Sequence, residues 1–267
     1  MKSLRELMTL DGRAAVVTGG SGHIGGVICD ALAELGANVG VSDLSEATCI
    51  ETADRIKDTY QVETLPLAVD LADEQMVGRA STTILEKFGR LDILVTCASL
   101  VGTSELEGWA VPFPNQSVEA WKQSLAIGLT APFLLVQACA EALAASGHGS
   151  VINVGSIYGM VGPDMSLYEG TSRENSAAYA AGKGGLLQLT RWMATVLAPQ
   201  VQVNAISPGG VWRNQPETFH QRYVSRTPLG RMATEEDLKG ATAFLASDLS
   251  AYVAGHNLVV DGGWTAW

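Results

Sequence analysis

The sequence predicts an α/β protein: a single doubly wound, Rossmann-like domain with a seven-stranded parallel sheet and helices on both faces. Short apolar runs rich in β-branched residues alternate with longer helical patterns, which is typical of βαβ units and a parallel sheet. The 267 residues are 47% hydrophobic, enough for a large core, and α/β chains of this length are often one domain. No Pro/Ser-rich linker or internal repeat divides the sequence, so we expect residues 1–267 to form one domain.

The elements follow one another in the order expected for such a sheet. We predict strands at about 14–17, 38–42, 64–69, 93–97, 150–154, 201–206 and 257–260, with helices filling the gaps between them. In one doubly wound sheet the ligand site lies at the carboxyl ends of the strands, where strand order reverses. Chemistry is therefore expected in the residues that directly follow the strand ends.

The composition narrows the classes of partner and location. Eleven net negative charges and a pI near 4.8 argue against a nucleic-acid or anionic membrane surface and leave a small molecule as the expected partner. The N-terminus lacks the apolar run of a signal peptide, and no stretch comes near the roughly 20 apolar residues of a membrane span, so we expect a cytoplasmic protein. The four cysteines are widely spaced, without a Cys-x-x-Cys pair or His partners, which predicts reduced, buried thiols and no metal site.

A glycine-rich turn follows the first strand. The run Thr18-Gly-Gly-Ser-Gly-His-Ile-Gly25 has a strand before it and a helical pattern after it, the context in which such a turn binds a dinucleotide. Glycine lets the backbone approach a pyrophosphate, and the amides and dipole of the helix N-terminus then hold it. The candidate cofactor-binding residues here are Gly19, Ser21, Gly22, His23, Ile24 and Gly25.

Two aspartates end the second and third strands. Asp43 stands about 20 residues beyond the turn, where a carboxylate accepts hydrogen bonds from the adenosine ribose and repels a 2'-phosphate. No Arg or Lys lies near it or in the turn, so we predict NAD rather than NADP as the cofactor. Asp70 is a candidate for the adenine edge, and for both residues an N-cap of the following helix is the alternative.

A Tyr and a Lys four residues apart, Tyr179 and Lys183, share one face of a predicted helix. A free phenol titrates near about 10, but a fixed ammonium nearby favours the phenolate and draws its pKa down. Such a pair can trade a proton with a substrate hydroxyl or carbonyl. On its own, the pattern is also that of an ordinary solvated pair on a helix surface.

Taken together, these residues resemble the short-chain dehydrogenase/reductase family, and the match runs nearly end to end. Its other marks are a Ser after the fifth strand (Ser156), the run Asn204-Ala-Ile-Ser-Pro-Gly-Gly210 after the sixth and Asp261-Gly-Gly263 near the C-terminus. The resemblance implies that Tyr179 is the acid/base, that Lys183 lowers its pKa and binds the nicotinamide ribose, and that Ser156 holds the reacting oxygen. It adds to the expected cofactor site Leu71, Ala98, Pro208, Gly209 and Val211.

The sequence departs from the family pattern at cofactor and relay positions. The glycines of the turn follow Gly-x-x-Gly-x-x-Gly, the spacing of the longer sugar-nucleotide branch, although the Asp261-Gly-Gly263 ending belongs to the short branch. The fourth strand ends Thr96-Cys-Ala-Ser99 where Asn-Asn-Ala-Gly is common. Gly128 stands where an Asn usually anchors a water chain to the catalytic Lys. Either a water or a neighbouring group replaces that amide, or turnover is impaired.

A further departure separates Ser156 from Tyr179 by 23 residues, about ten more than is usual in the family. We interpret about 157–176 as an inserted loop that leaves beside the catalytic Ser and returns at the catalytic helix, where it can line the substrate pocket. A solvated surface excursion is the alternative, but the apolar residues of the loop argue against one. Tyr168 stands nearer the customary spacing, yet position 172 is Ser, so no Lys completes that pair.

The segment at about 210–228 corresponds to the family's substrate-binding loop. It carries a basic cluster made up of Arg213, His220, Arg222 and Arg226, with Tyr223 among them. In a chain this acidic, the cluster is a candidate site for a phosphate or carboxylate, with helix-surface charge as the alternative. The candidate substrate residues are Tyr168, Trp212, Arg213 and Arg222, with Trp109 and Asn115 as weaker candidates.

These features predict an NAD-dependent oxidoreductase that interconverts a secondary alcohol and a ketone, acting on a sugar or sugar derivative by analogy with bacterial surface-carbohydrate enzymes. Two other interpretations stay open: an epimerase or dehydratase that uses NAD transiently, and an NAD-binding pseudoenzyme or assembly subunit. The family is commonly homotetrameric, and the apolar C-terminus from Val259 to Trp267 suits burial between subunits. We therefore expect a homo-oligomer, a tetramer or a dimer.

Overall fold

All seven predicted strands are present in one sheet, and every neighbouring pair in it is parallel. The computed structural model describes residues 1–102, 104–171 and 173–267. The strand order is β3-β2-β1-β4-β5-β6-β7, so the order reverses between β1 and β4. The strands are β1 Ala14–Thr18, β2 Asn38–Asp43, β3 Thr64–Ala68, β4 Ile93–Thr96, β5 Gly149–Val154, β6 Val201–Pro208 and β7 Asn257–Val260. The predicted fold class is confirmed.

Helices fill the gaps between the strands, as predicted. They are α1 Leu4–Met8, α2 His23–Glu34, α3 Glu46–Tyr60, α4 Glu74–Phe88, α5 Val118–Leu125, α6 Ala131–Ser146, α7 Ala177–Val196, α8 Glu217–Arg226 and α9 Lys239–Ala246. Helix α1 was not predicted. It begins at a capping box in which Ser3 and Glu6 satisfy each other's backbone amides, a local device that stabilises so short a helix.

Each face of the sheet is covered by its own set of helices and its own core. On one face α2, α3 and α9 pack against the strands, with Leu32 and Ile56 fully buried. On the other face α4, α6 and α7 contribute Ile84 and Leu143, which are equally inaccessible. Because both faces are covered, the central strands β1 and β4 are buried along their whole length, which explains why each is a hydrophobic run up to its final threonine.

Helices α5 and α6 are continuous through one π-helical turn, Ala126–Thr130, which contains Gly128. The combined helix, Val118–Ser146, is long and apolar enough to cross a membrane by length and composition. The expectation that no stretch comes near a membrane span is therefore wrong on that measure. A core helix passes the same test, and here the α6 portion buries Leu135 and Leu143 in the second core.

Candidate active site

A cavity of about 520 Å³ opens at the carboxyl ends of β1, β4, β5 and β6, beside the reversal of strand order. It brings together most of the residues predicted for the cofactor and for catalysis. Those predicted residues are Gly19, Gly22, His23, Ile24, Gly25, Asp43, Ala98, Ser156, Tyr179, Lys183, Pro208, Gly209 and Val211. Cys97, Ser99, Val101, Gln215 and Arg213 also line it.

The glycine-rich turn brings β1, the start of α2 and the end of β4 into close contact. Gly19 has φ +66°, and a Cβ there would lie 3.0 Å from the Ala98 backbone. At Gly25 a Cβ would lie 2.0 Å from the Gly19 carbonyl oxygen, so both positions require glycine. Helix α2 begins at His23, and its N-cap, Gly22, makes no side-chain hydrogen bond to the first-turn amides. Those amides are therefore available to an anionic ligand.

The altered end of β4 is tied to its neighbours by hydroxyl groups. The Thr18 hydroxyl accepts hydrogen bonds from the backbone amides of Cys97 and Ala98, at 3.0 and 3.3 Å. Thr96 donates to the Asn153 side chain at 2.7 Å, and Asn153 donates to Thr190 of α7 at 2.8 Å. Thr18 of β1 thus ties the backbone at the end of β4, and Asn153 of β5 holds the Thr96 side chain.

Asp43 is fixed by hydrogen bonds at the far end of the cavity. Its carboxylate accepts from the Ser21 hydroxyl at 2.5 Å and from the Leu44 amide at 2.8 Å. The N-cap of α3 is Ser45, whose side chain accepts from the Thr48 amide, so the N-cap alternative for Asp43 is wrong. Ser21 acts on Asp43 and is not itself among the residues that line the cavity in the described part of the chain.

Asp70 also has a role other than the predicted N-cap. It accepts from the Ala72 amide at 2.9 Å, whereas Asp73 caps α4 through bonds from the Gln75 and Met76 amides. Among the described residues, neither Asp70 nor Leu71 lines the cavity. Their assignment to the cofactor stays a prediction.

The three predicted catalytic side chains converge on the inner end of the cavity. Ser156 lies two residues after the end of β5, while Tyr179 and Lys183 lie on one face of α7. The Lys183 ammonium is buried and donates to the Val154 carbonyl at 2.7 Å, and it lies 5.7 Å from the centre of the Tyr179 ring. The Ser156 hydroxyl accepts from the Tyr158 amide at 3.2 Å, which orients it.

Burial dominates the ionisation of the tyrosine and the lysine. It raises the pKa of Tyr179, while the Ser156 hydroxyl acts in the opposite direction. Burial also lowers the pKa of Lys183 to about 8, and the Cys97 thiol partly opposes this. The expected lowering of the Tyr179 pKa by Lys183 is therefore not what this packing produces. Desolvation penalises the charged form of both groups, so each is pushed toward neutrality.

Gly128, where the family usually has an Asn, lies in the π-helical turn and faces another unusual residue. A Cβ on Gly128 would meet the Ser99 hydroxyl oxygen at 3.9 Å, an ordinary contact. Ser99 lines the cavity and its hydroxyl lies 3.3 Å from the Leu100 carbonyl oxygen. Two departures from the family pattern are thus neighbours, and a π turn in a helix frequently marks a functional site.

The inserted loop is packed into the molecule rather than solvated. Its Leu167 is fully buried in a cluster with Tyr223, Met232 and Trp264. The solvated alternative is therefore wrong for its centre, although Met165 is 42% exposed. Residue 172 lies outside the described residues.

A second cavity, of about 170 Å³, lies between the insert and α8. Ser156 and Tyr179 line both this cavity and the larger one. The predicted Tyr168 is in its wall, and the residues that sequence reasoning missed are Tyr158, Gln215, Phe219, Tyr223 and Met232. A signal was present in the sequence, since aromatic residues recur in both segments that the family pattern assigns to the substrate side.

Two arginines of the basic cluster, Arg222 and Arg226, hold the insert in place. One guanidinium nitrogen of Arg222 donates to the carbonyls of Ser166 and Glu169, at 3.0 and 2.6 Å, and Arg226 pairs with Asp164. Arg222 is not among the described residues that line either cavity, so we correct its assignment to the substrate.

The remaining substrate candidates lie in different environments. Trp212 packs on the His220 ring at 4.2 Å and is not among the described residues that line either cavity. Trp109 is buried and donates to the Val101 carbonyl at 2.8 Å, whereas Asn115 ends an exposed 3₁₀ turn. Arg213, in contrast, lines the larger cavity. Of the four main candidates, Tyr168 and Arg213 are therefore placed at a cavity.

The C-terminal segment packs against α8 of its own chain. Trp264 is 8% exposed, and its ring stacks on Tyr223 with centroids 5.7 Å apart. The expectation that this segment is buried between subunits is therefore corrected for Trp264, whereas Trp267 is 83% exposed. In the part of the chain that the structure describes, no group of three His, Cys, Asp or Glu side chains is placed to hold a metal ion.

A family model described as enoyl-(acyl carrier protein) reductase matches residues 20–265. The chain belongs to the short-chain dehydrogenase/reductase family. Among its relatives, a cis-4-hydroxycyclohexanecarboxylate dehydrogenase of Sinomonas cyclohexanicum is 34% identical over 95% of this chain and 97% of the relative. A D-threitol dehydrogenase of Mycolicibacterium smegmatis is 31% identical over 96% and 94%.

Solved structures of the family superpose over nearly the whole chain. A gluconate 5-dehydrogenase from Burkholderia cenocepacia, in complex with NADP and tartrate, has TM-score 0.87 and 29% identity, covering 99% of this chain and 100% of its own. An NAD⁺-bound xylitol dehydrogenase has TM-score 0.84 and 25% identity, covering 95% and 99%. This chain is thus a member of an oxidoreductase family that acts on CH–OH groups with a nicotinamide cofactor.

Proposed function

We propose that the protein is an NAD-dependent oxidoreductase that interconverts a secondary alcohol and a ketone by hydride transfer. One observation carries the proposal: Ser156 and Tyr179 stand in the shared wall of the two cavities. The larger cavity has the glycine-rich turn and Asp43 that suit a dinucleotide, and the smaller one is lined by aromatic side chains. Groups in the shared wall are in contact with both ligands at once, as acid-base catalysis of hydride transfer requires.

The chemistry of each catalytic residue follows from its surroundings. When bound, a nicotinamide cofactor supplies the hydride donor or acceptor. The raised pKa keeps the Tyr179 phenol protonated at neutral pH, so its hydroxyl can donate a proton to a ketone oxygen and is left as the phenolate. In the alcohol-oxidation direction the phenolate is the group that takes up the alcohol proton, so this direction requires Tyr179 to be deprotonated first. The Ser156 hydroxyl, oriented by the Tyr158 amide, holds the same substrate oxygen. Lys183, anchored on the Val154 carbonyl, presents a positive charge to the inner cavity.

The choice of NAD rests on Asp43. Its carboxylate is held at the cavity edge by Ser21 and Leu44, and no Lys or Arg occurs between residues 14 and 54 to accommodate a 2'-phosphate. Steady-state kinetics with both cofactors test this assignment. We expect kcat/KM to be higher with NAD than with NADP. Asp43→Ala should lower the ratio of the two values by about tenfold or more, because it removes the repulsion between the carboxylate and the 2'-phosphate. Equal or better use of NADP by the unaltered protein would refute it.

We propose a sugar, polyol or other hydroxylated ring or chain as the substrate class. The smaller cavity offers the rings of Tyr158, Tyr168 and Phe219 beside the polar side chain of Gln215, a combination that suits an apolar ring face with hydroxyl substituents. The names of the relatives, which point to threitol, gluconate, xylitol and a hydroxycyclohexanecarboxylate, support this class.

A second candidate, an NAD-binding pseudoenzyme or assembly subunit, is favoured by Gly128 and the altered end of β4. It predicts that the protein binds NADH without turning over any substrate and is indifferent to Tyr179→Phe. An epimerase or dehydratase predicts turnover with tightly held cofactor and no net NADH.

We also infer a homo-oligomer, a tetramer or a dimer, in the cytoplasm. Large apolar side chains remain exposed on α5, α6 and α7, namely Trp121, Phe133, Trp192 and Val196, which are 36 to 54% exposed. Large apolar side chains exposed in this way are candidates for a subunit contact. Native mass measured for the protein and for Trp192→Glu tests this, and an unchanged monomeric mass in both would refute it.

The main experiment is an absorbance assay at 340 nm. The purified protein is tested with NAD and NADP over a panel of polyols, sugar acids and cyclic hydroxy acids, beside Tyr179→Phe. We expect turnover that falls about 10²- to 10⁴-fold in Tyr179→Phe, the range of a general acid-base step, while NADH binding measured by fluorescence is kept. Turnover that is insensitive to Tyr179→Phe would refute the assigned role.

A further inference from the structure

Arg213 stands apart from the other arginines of the basic cluster because part of its guanidinium is buried without a hydrogen-bond partner. The turn after β6 fixes its backbone: the Arg213 amide donates to the Gln215 side chain at 2.7 Å, and Gln215 donates back to the Val211 carbonyl at 2.8 Å. Its Nε donates to Glu235 at 3.3 Å. The Nη2 atom has no partner among the described residues. A buried, unpaired donor of this kind is costly unless a ligand satisfies it.

The position of Arg213 indicates which ligand that is. Arg213 lines the 520 Å³ cavity together with Gly22 and His23, and it is not among the described residues that line the smaller, aromatic cavity. Glu235, which holds its Nε, also lies 3.9 Å from Nδ1 of His23, the first residue of α2. The guanidinium is therefore held next to the glycine-rich turn rather than next to the substrate side.

Charge supports the same assignment. The chain has net charge −11, yet the larger cavity carries the cationic side chains of Lys183 and Arg213. Burial raises the pKa of the neighbouring Cys97 thiol, and both cations act in the opposite direction. Lys183 is committed to the Val154 carbonyl at the inner end. Arg213 instead lines the same cavity as Gly22 and His23, at the uncapped start of α2. An anion between them meets donors on two sides.

We propose that Arg213 binds the pyrophosphate of the dinucleotide cofactor and that Glu235 is a positioning residue that orients it. The inference rests on the dinucleotide site of the proposed function and deepens it, because it assigns the cofactor's charge to a side chain outside the glycine-rich turn. A guanidinium matches two phosphate oxygens through paired donors, which a lysine ammonium does not. A substrate carboxylate is the competing anion, and the test distinguishes the two.

The test uses binding without turnover. Quenching of the intrinsic tryptophan fluorescence is titrated with NADH, ADP-ribose, ADP and adenosine for the full chain, Arg213→Met, Arg213→Lys and Glu235→Gln. Arg79→Met is the control, because Arg79 is an exposed residue of α4, and thermal melting checks that each variant folds.

We expect Arg213→Met to lower the affinity for ADP-ribose and ADP by about 10- to 100-fold, the usual loss for a charge-assisted hydrogen bond, and to leave the affinity for adenosine unchanged. Arg213→Lys should bind ADP-ribose more tightly than Arg213→Met but less tightly than the unaltered chain. Glu235→Gln should lose less ADP-ribose affinity than Arg213→Met. Unchanged ADP-ribose affinity in Arg213→Met overturns the inference, and a raised KM for acidic substrates alone would assign Arg213 to the substrate. If the unaltered chain binds ADP-ribose no better than a protein without a nucleotide site, the proposed cofactor site fails as well.

Discussion

The proposed cofactor end of the site, at the glycine-rich turn, and its proposed substrate end, at the insert and α8, are built in different ways. At the cofactor end the chain brings backbone against backbone: Gly19 lies against Ala98, and Gly25 against the Gly19 carbonyl. At the substrate end, side chains from the insert, α8 and the C-terminus pack together around Leu167. The first region depends on the absence of side chains, whereas the second depends on their fit.

This difference determines how each region responds to change. A single added methyl group at the cofactor end collides with backbone, which has little freedom to move. A removed side chain at the substrate end leaves a cavity, and its cost depends on how far the neighbours relax. The two halves of one active site are therefore separable by mutation, and the following changes test that separation in order of decreasing effect.

The largest effect is expected from Gly25→Ala. Its Cβ would lie 2.0 Å from the Gly19 carbonyl oxygen, so the turn must deform. We expect NADH affinity to fall by at least about 100-fold and the free energy of unfolding to fall by about 1–3 kcal/mol. Fluorescence titration and urea unfolding measure the two quantities. Gly78→Ala in α4, where nothing lies within 4 Å of the added Cβ, is the matched control and should be neutral or stabilising.

Leu167→Ala should act on the substrate end alone. Leu167 is fully buried, so its truncation should cost about 2–5 kcal/mol of stability and reduce kcat/KM for the substrate by about tenfold or more. NADH affinity should stay within about twofold, since Leu167 does not contact the cofactor end. Met165→Ala, at an exposed position of the same turn, should change little. Equal losses of cofactor and substrate binding would contradict the separation of the two regions.

Lys183 lies where the two regions meet, and its titration should appear in cofactor binding. Burial lowers its pKa to about 8, so the ammonium is present below that pH and is lost as pH rises through it. NADH affinity should therefore fall about tenfold between pH 7 and 9.5, and the fall should be absent in Lys183→Met. A pH profile that is unchanged by Lys183→Met would refute this.

The same shift has a consequence for stability. The unfolded chain keeps the lysine ammonium until near about 10.4, so between about 8 and 10 it binds more protons than the folded chain. The contribution of Lys183 to the free energy of unfolding should then rise with pH in that window. Urea unfolding at pH 7.5 and 9.5, for the full chain and Lys183→Met, measures it.

The smallest effect is expected from Gly128→Asn. The added Cβ meets the Ser99 oxygen at 3.9 Å, so we expect the fold to tolerate Asn with little change in the free energy of unfolding, whereas Gly128→Ala should gain about 0.5–1 kcal/mol. If the missing Asn amide limits proton transfer through the water chain to Lys183, Gly128→Asn should raise kcat, by less than about tenfold. Gly128→Ala adds the Cβ without the amide and separates the two contributions. A large loss of stability in both variants would show that the π turn requires glycine.

The cofactor end could be predicted from the sequence because its determinants are local. A strand, a glycine turn and a helix lie within about 20 consecutive residues, and Asp43 ends the next strand, so spacing alone places them together. The N-cap alternatives for Asp43 and Asp70 failed at the same scale, because Ser45 and Asp73, a few residues further on, compete for the same cap. Local patterns indicate that a cap is needed without identifying which of several acceptors takes it.

The substrate end could be predicted only in outline. The extra residues after Ser156 and the apolar side chains within them indicated a packed insert, but the sequence did not indicate which residues contact it. Arg222 was assigned to the substrate because charge is visible in a sequence, whereas the carbonyls that it meets belong to Ser166 and Glu169, more than 50 residues away. Trp264 was assigned to a subunit contact for the same reason, since its partner Tyr223 is 41 residues away.

By itself the sequence determined the order and type of the strands, and it predicted a cofactor site at the glycine-rich turn and the catalytic residues Ser156, Tyr179 and Lys183, because each depends on short-range periodicity or on a family pattern. The tertiary structure decided how those groups are solvated and what surrounds them. Burial of Tyr179 and Lys183 sets the direction of their pKa shifts, and the packing of Leu167 holds the insert, whose Tyr168 lines the smaller cavity. Both arise from contacts between distant segments, which spacing along the chain does not encode.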